Sequence, residues 1–173
     1  MNYAKIFILL MIILIIGCSQ QKETQLEAGS MKLTSFAFEN GRYIPIRHTC
    51  DGDNVPPHLI IKDVPEGTAS LALIMDDPDA PGRTFVHWVA WNIPPDKKEI
   101  LEDEDLEYQG MNDFGKREYG GPCPPSGTHR YFFKLYALDT ELNLSESATK
   151  KDLEHAIKGH ILAETSLMGL YKR

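Results

Sequence analysis

Apolar residues in this chain gather in runs separated by polar, proline- and glycine-rich stretches, and the period within each run predicts its structure. The first run, Ile6 to Ile16, follows Lys5 and carries no charge. Its eleven residues would cover roughly 16 Å as a helix, against about 30 Å of bilayer hydrocarbon, so it reads as the apolar part of an export signal (residues 1–17) rather than a spanning helix. Ser19 to Ser30, rich in Gln, Glu, Ser and Thr, is too polar to build a core and predicts a tether. One folded domain is expected over residues 31–173.

Strand patterns dominate that domain. Leu71 to Met75 is continuously apolar and predicts a buried strand, ended by the loop Asp76-Asp77-Pro78-Asp79-Ala80-Pro81-Gly82. From Phe85 to Ile93, strand alternation puts Phe85, His87, Val89 and Trp91 on one face and Val86, Trp88 and Ala90 on the other. Both faces are apolar, which predicts a central strand covered twice. Tyr131 to Leu138 predicts a third strand, after a Gly120–Gly127 loop whose three prolines and three glycines forbid regular structure. Thr149 and Asp152 have the spacing of a capping box, Leu153, Ala156 and Ile157 form an apolar stripe, and Gly159 can stop that helix. Ile161 to Tyr171 alternates weakly and is expected at a sheet edge. Many strands with few helices predict a mostly β domain, a β-sandwich or α+β fold, rather than an alternating βαβ chain.

Charge narrows the function. The formal net charge is −7, and removing residues 1–17 takes away only Lys5, leaving −7 − 1 = −8. Nucleic acid is therefore not an expected partner, since that binding draws on clustered Lys and Arg. Of three cysteines, Cys18 ends Ile15-Ile16-Gly17-Cys18, which looks like a lipobox. A diacylglyceryl thioether there would supply the two chains that stable anchoring takes, placing the protein on a membrane of the cell envelope, outside the cytoplasm. The alternative is an ordinary signal peptide with an incidental cysteine. Cys50 and Cys123 either form one disulfide or are two small buried thiols.

Polar side chains collect at the ends of the central strands: Asp77 and Asp79 after one, His87 in the next, His129-Arg130-Tyr131 opening the third. Neighbouring strands would bring them to one rim, where imidazole N–H and tyrosine O–H groups donate to phosphate or sulfate oxygens and the glycine-rich loop adds a backbone nest. Taken singly, His87 also reads as a core histidine and the aspartates as turn formers. Two other chemistries compete. Cys123 as nucleophile, with His129 as base and Asp77 orienting it, would make a thiol enzyme, but no helix N-terminus is expected there to lower the thiol pKa. His87, His129 and Asp77, with His48 or His58, would make a metal site, but neither His-x-x-x-His nor Cys-x-x-Cys spacing is present. No enzyme activity, metal or cofactor is expected.

Three blocks resemble the phosphatidylethanolamine-binding protein family in its bacterial Raf-kinase-inhibitor-like branch: Asp77-Pro78-Asp79-Ala80-Pro81; His87-Trp88 with Asn92; and Gly121-Pro122-Cys123-Pro124-Pro125-Ser126-Gly127-Thr128-His129-Arg130-Tyr131. Cys50-Asp51-Gly52 before Pro56-Pro57, and Lys158 to Ala163, are similar to the same branch, so the resemblance runs from about Met31 to Lys172. It implies two antiparallel sheets with a few flanking helices and a small pocket for phosphate, acetate or a phosphoryl head group such as that of phosphatidylethanolamine. Asp77, His87, His129 and Tyr131 match its pocket positions, with Asp79, Pro81, Gly121 and Pro122 in the loops beside it. Val55 stands where the branch often has Ser, and with the sequence ending at Arg173 soon after its last expected strand, no counterpart is expected of the C-terminal helix that closes the pocket in eukaryotic relatives. The resemblance also implies a homodimer, or inhibition of a kinase- or protease-like protein target in the envelope.

Overall fold

A computed structural model describes residues 30–173; the export segment, Cys18 and the tether up to residue 29 lie outside the described residues. The strands are β1 (Lys32–Ser35), β2 (Leu59–Lys62), β3 (Ser70–Asp77), β4 (Phe85–Ile93), β5 (Glu99–Ile100), β6 (Thr128–Leu138) and β7 (Ile161–Lys172). They form two antiparallel sheets, one ordered β1-β2-β5 and one ordered β4-β3-β6-β7. One short helix, α1 (Lys150–Ala156), and a turn of 3-10 helix at Ile46–His48 complete the regular structure of the described residues. The fold is thus mostly β, as the patterning predicts.

The larger sheet has an apolar layer on each face. Between the sheets, Leu71, Leu73, Met75, Trp88, Tyr131, Phe133 and Leu135 pack with Leu33, Leu59, Ile61 and Ile100. On the opposite face, Ala72, Ile74, Val89 and Trp91 meet Leu153 and Ile157 from α1 and its end, with Leu142 and Ala148. β3 lies between β4 and β6 with a layer on both sides, so all eight of its residues are buried. That explains its unbroken apolar run; each such side chain contributes about 1.5–3 kcal/mol by burial. The helix is capped as expected: the Asp152 carboxylate accepts from the Thr149 N–H (2.8 Å) and the Thr149 hydroxyl (2.7 Å).

Three sequence expectations need correction. The Phe85–Ile93 strand is not central in its sheet but pairs with β3 alone. It reads as doubly covered because irregular chain covers its outer side: the N–H groups of Gly110, Asp113 and Gly120 donate to the carbonyls of Val89, Val86 and His87 at 3.0, 2.9 and 3.0 Å. Its alternation also breaks. Met75 pairs with Trp88 but Asp76 with Val86, so His87 is the extra residue of a β-bulge, and the bulge lets His87 and Trp88 serve the same side. Finally, Asp76 and Asp77 belong to β3 rather than to the loop. Asp76 stays in the strand, 1% exposed, because Lys134 (2.8 Å) and Lys150 both pair with it. Residues 161–172 form the edge strand β7, as expected.

Candidate functional site

The end of β3, the bulge of β4 and the start of β6 meet at one end of the larger sheet. Asp77 is buried there, and its Oδ2 accepts from His129 Nδ1 at 2.7 Å while its Oδ1 accepts from the Asp79 N–H at 2.8 Å. The carboxylate therefore fixes which histidine nitrogen carries a proton and which way the ring faces. Asp79 extends the brace. It takes the Arg130 N–H and Nε at 2.9 Å each and Nη2 at 2.7 Å, and the guanidinium hydrogen bond lowers the Asp79 carboxyl to about 2.

His87 is 2% exposed, and its Nδ1 donates to the Gly120 carbonyl at 2.7 Å. A carbonyl can only accept, so Nδ1 bears the proton and Nε2 of the neutral ring is an acceptor. Burial holds this histidine below its ordinary value, against the upward pull of the Gly120 carbonyl and the Asp77 charge. The Tyr131 ring stands edge-on to His87, with centroids 5.2 Å apart. Tyr131 is fully buried and, among the described residues, its hydroxyl has no hydrogen-bond partner of normal geometry, although the Asp77 carboxylate and the Cys123 backbone lie near it. Burial first, and the nearby Asp77 charge second, push its ionisation far above the ordinary range, so it remains an O–H donor. A buried hydroxyl without a partner costs about 1–3 kcal/mol, a penalty that a bound acceptor would remove.

The loop 119–123 is fastened from beneath by residues 48–54. The Tyr119 hydroxyl donates to the His48 carbonyl (2.7 Å), the Gly121 N–H to Asn54 Oδ1 (2.8 Å) and the Cys50 N–H to the Pro122 carbonyl (3.1 Å). Cys50 and Cys123 are joined by a disulfide with Cα atoms 5.4 Å apart, so in this form Cys123 offers no thiol for nucleophilic attack. A side chain at Gly121 would meet the His48 carbonyl at 2.6 Å, which explains the glycine. The expected backbone nest at these glycines is not free. Gly120 N–H is spent on the His87 carbonyl and Gly121 N–H on Asn54.

Sequence reasoning missed two residues of the rim. Asn112 is buried; its side-chain amide donates to the His87 and Glu118 carbonyls at 3.3 and 2.8 Å, and its Oδ1 takes the Phe114 and Lys116 N–H groups. The turn so formed presents Phe114, 43% exposed, against Phe85 (4.8 Å) and His87 (5.4 Å between ring centroids). The Asn-Asp-Phe-Gly run at Asn112–Gly115 is the turn signal that could have found them. Pro81 lies exposed in the loop after β3, and Pro122 is buried beside Gly121. His48 and His58 turn elsewhere, to the Val55 carbonyl and to Glu99. Among the described residues no group of three His, Cys, Asp or Glu is arranged to hold a metal ion.

The assembled geometry has counterparts among known proteins. Residues 34–172 match the family model described as phosphatidylethanolamine-binding protein. A UPF0098 protein of Methanothermobacter thermautotrophicus is 51% identical over 150 residues, covering 83% of this chain and 99% of that protein. One from Aquifex aeolicus is 51% identical over 152 residues, covering 83% and 89%. The crystal structure of a phosphatidylethanolamine-binding protein homolog from Chlamydia trachomatis superposes with a TM-score of 0.80 at 41% identity, covering 83% of this chain and 98% of that one. Escherichia coli YbcL, described as a member of the mammalian family, gives 0.77 at 30%, covering 83% and 99%.

Proposed function

The chain belongs to the phosphatidylethanolamine-binding protein family, and from that premise we propose that it is a binding protein whose pocket at Asp77, His87, His129 and Tyr131 takes a small anionic or phosphoryl group. The observation that carries this reading is the buried, unpartnered Tyr131 hydroxyl beside two oriented imidazoles. Tyr131 donates to one ligand oxygen. His129, braced by Asp77, donates from Nε2 when protonated, and His87 Nε2 accepts from a ligand O–H. The set suits a phosphate monoester monoanion, which has both acceptor oxygens and a proton to give, or an ethanolamine phosphodiester whose ammonium N–H supplies the proton instead.

We further propose, from the charge-free run Ile6 to Ile16 and the lipobox-like Ile15-Ile16-Gly17-Cys18, that the protein sits in the cell envelope, held at a membrane through lipid on Cys18. A phospholipid head group is then the nearest source of phosphoryl ligand, and a kinase- or protease-like envelope protein is the alternative target. Calorimetric titration with inorganic phosphate, phosphoethanolamine and short-chain phosphatidylethanolamine tests the pocket. Saturable binding of at least one is expected, and silence from all three would sink the head-group reading. Membrane fractionation of the parent and of Cys18→Ala tests the anchor: the variant should leave the membrane fraction.

A further inference from the structure

Directly beside the anion cluster lies a cleft of about 210 Å³ lined by Phe114, Gly120, Gly121, Tyr119, Asn54 and the Cys50 side of the disulfide. Its walls are built as firmly as the cluster itself. Phe114 is fixed by the Asn112 turn, Gly121 by Asn54, and Tyr119 by the His48 carbonyl. The polar groups at its mouth, Lys116 and Glu118, are paired with each other at 2.9 Å. What remains for a visitor is an aromatic face, a glycine backbone and the Asn54 side chain, with no unpaired charge among the lining residues. Cleft and cluster share a wall: Phe114 stands edge-on to the His87 ring with centroids 5.4 Å apart, and Gly120 carries the carbonyl that orients His87. A side chain at Gly120 would meet Phe114 at 2.5 Å, so the glycine is what allows Phe114 to stand against His87.

We propose that this cleft receives an apolar substituent, aromatic or branched aliphatic, carried on the same small phosphate ester whose anionic group sits at Tyr131, His87 and His129. The proposal rests on the anion-site reading above and adds the chemistry of the ligand's other end. The volume suits one ring or one short branch and not a pair of acyl chains. An offset or edge-on ring against Phe114 would add to the burial of apolar area.

The test is titration of the protein with inorganic phosphate, phosphoethanolamine and phenyl phosphate, repeated in Phe114→Ala and Phe114→Leu, with the affinity ratio within each variant as the readout. Phenyl phosphate should bind the parent about tenfold more tightly than either other compound. That margin should shrink to about threefold or less in Phe114→Ala and largely persist in Phe114→Leu, which keeps an apolar wall. Phosphate binding with no preference for phenyl phosphate, or a preference that survives Phe114→Ala, overturns the cleft assignment alone. Failure of every compound to bind overturns both this and the anion site.

Discussion

Asp77 and His129 share a 2.7 Å hydrogen bond although 52 residues separate them in the chain. β3 and β6 are ladder neighbours, with Asp76 opposite Phe132, so the end of one strand and the beginning of the other arrive together. Removing one member of such a buried pair leaves the other uncompensated. Asp77→Ala is expected to lower stability by about 3 kcal/mol in urea unfolding, and Asp77→Asn less, because an amide oxygen can still accept from the ring. Both should weaken phosphate binding in the same calorimetric titration.

Tyr131→Phe separates function from stability. The hydroxyl is buried without a partner, so its loss should leave stability unchanged or raise it by up to about 1 kcal/mol, while phosphate affinity falls about tenfold. A thermal melt and a titration on one sample decide it. A variant that is destabilised yet binds normally would show a structural hydroxyl and no ligand contact.

His87 gives the fold an acid sensitivity of predictable sign. Its folded value lies below the ordinary 6.5 because of burial, so the unfolded chain takes up this proton first as pH falls. The stability tied to neutral His87 is therefore complete above about pH 6.5 and is lost as the pH drops through the lower folded value. Urea midpoints measured from pH 7.5 to 5 should decline more steeply in the parent than in His87→Asn.

The disulfide ties two loops across 73 residues, and closing a loop of that length is worth about 4 kcal/mol through the unfolded state. Cys50→Ser/Cys123→Ser should melt well below the oxidised parent and match the parent in reductant. Because the bridge underlies Gly121 and Pro122, the double variant should also bind phosphate more weakly, measured at a temperature where both proteins are folded.

The major strands, the helix cap and the meeting of Asp77, His87, His129 and Tyr131 at one end of the sheet were legible because each depends on a local rule. Continuous apolar residues mark β3, Thr149 and Asp152 mark the start of α1, and the Asp-Pro and His-Arg-Tyr blocks mark strand ends. What failed depended on distant partners. Nothing local shows that Lys134 and Lys150 hold Asp76 inside a strand, or that residues 108–120 cover β4 so that an edge strand looks central. The bulge at His87 was invisible because both faces of β4 are apolar, so a shift of one residue leaves the pattern unchanged. Strands as short as Glu99–Ile100 carry too few residues for any period.

β7, the outer strand of the larger sheet, is sheltered over only part of its length. Residues 40–44 run along it from Met168 to Leu170: the Met168 and Leu170 carbonyls accept from the Gly41 and Ile44 N–H groups, and their own N–H groups donate to Asn40 and Arg42. Among the described residues no backbone hydrogen bond from outside the sheet reaches Ile161 to Ser166, where Ile161 and Leu162 are 41% and 45% exposed. As the protein is concentrated, that half-strand is where one molecule can extend the sheet of another, and a lysine at Leu162 is the simplest guard against such stacking.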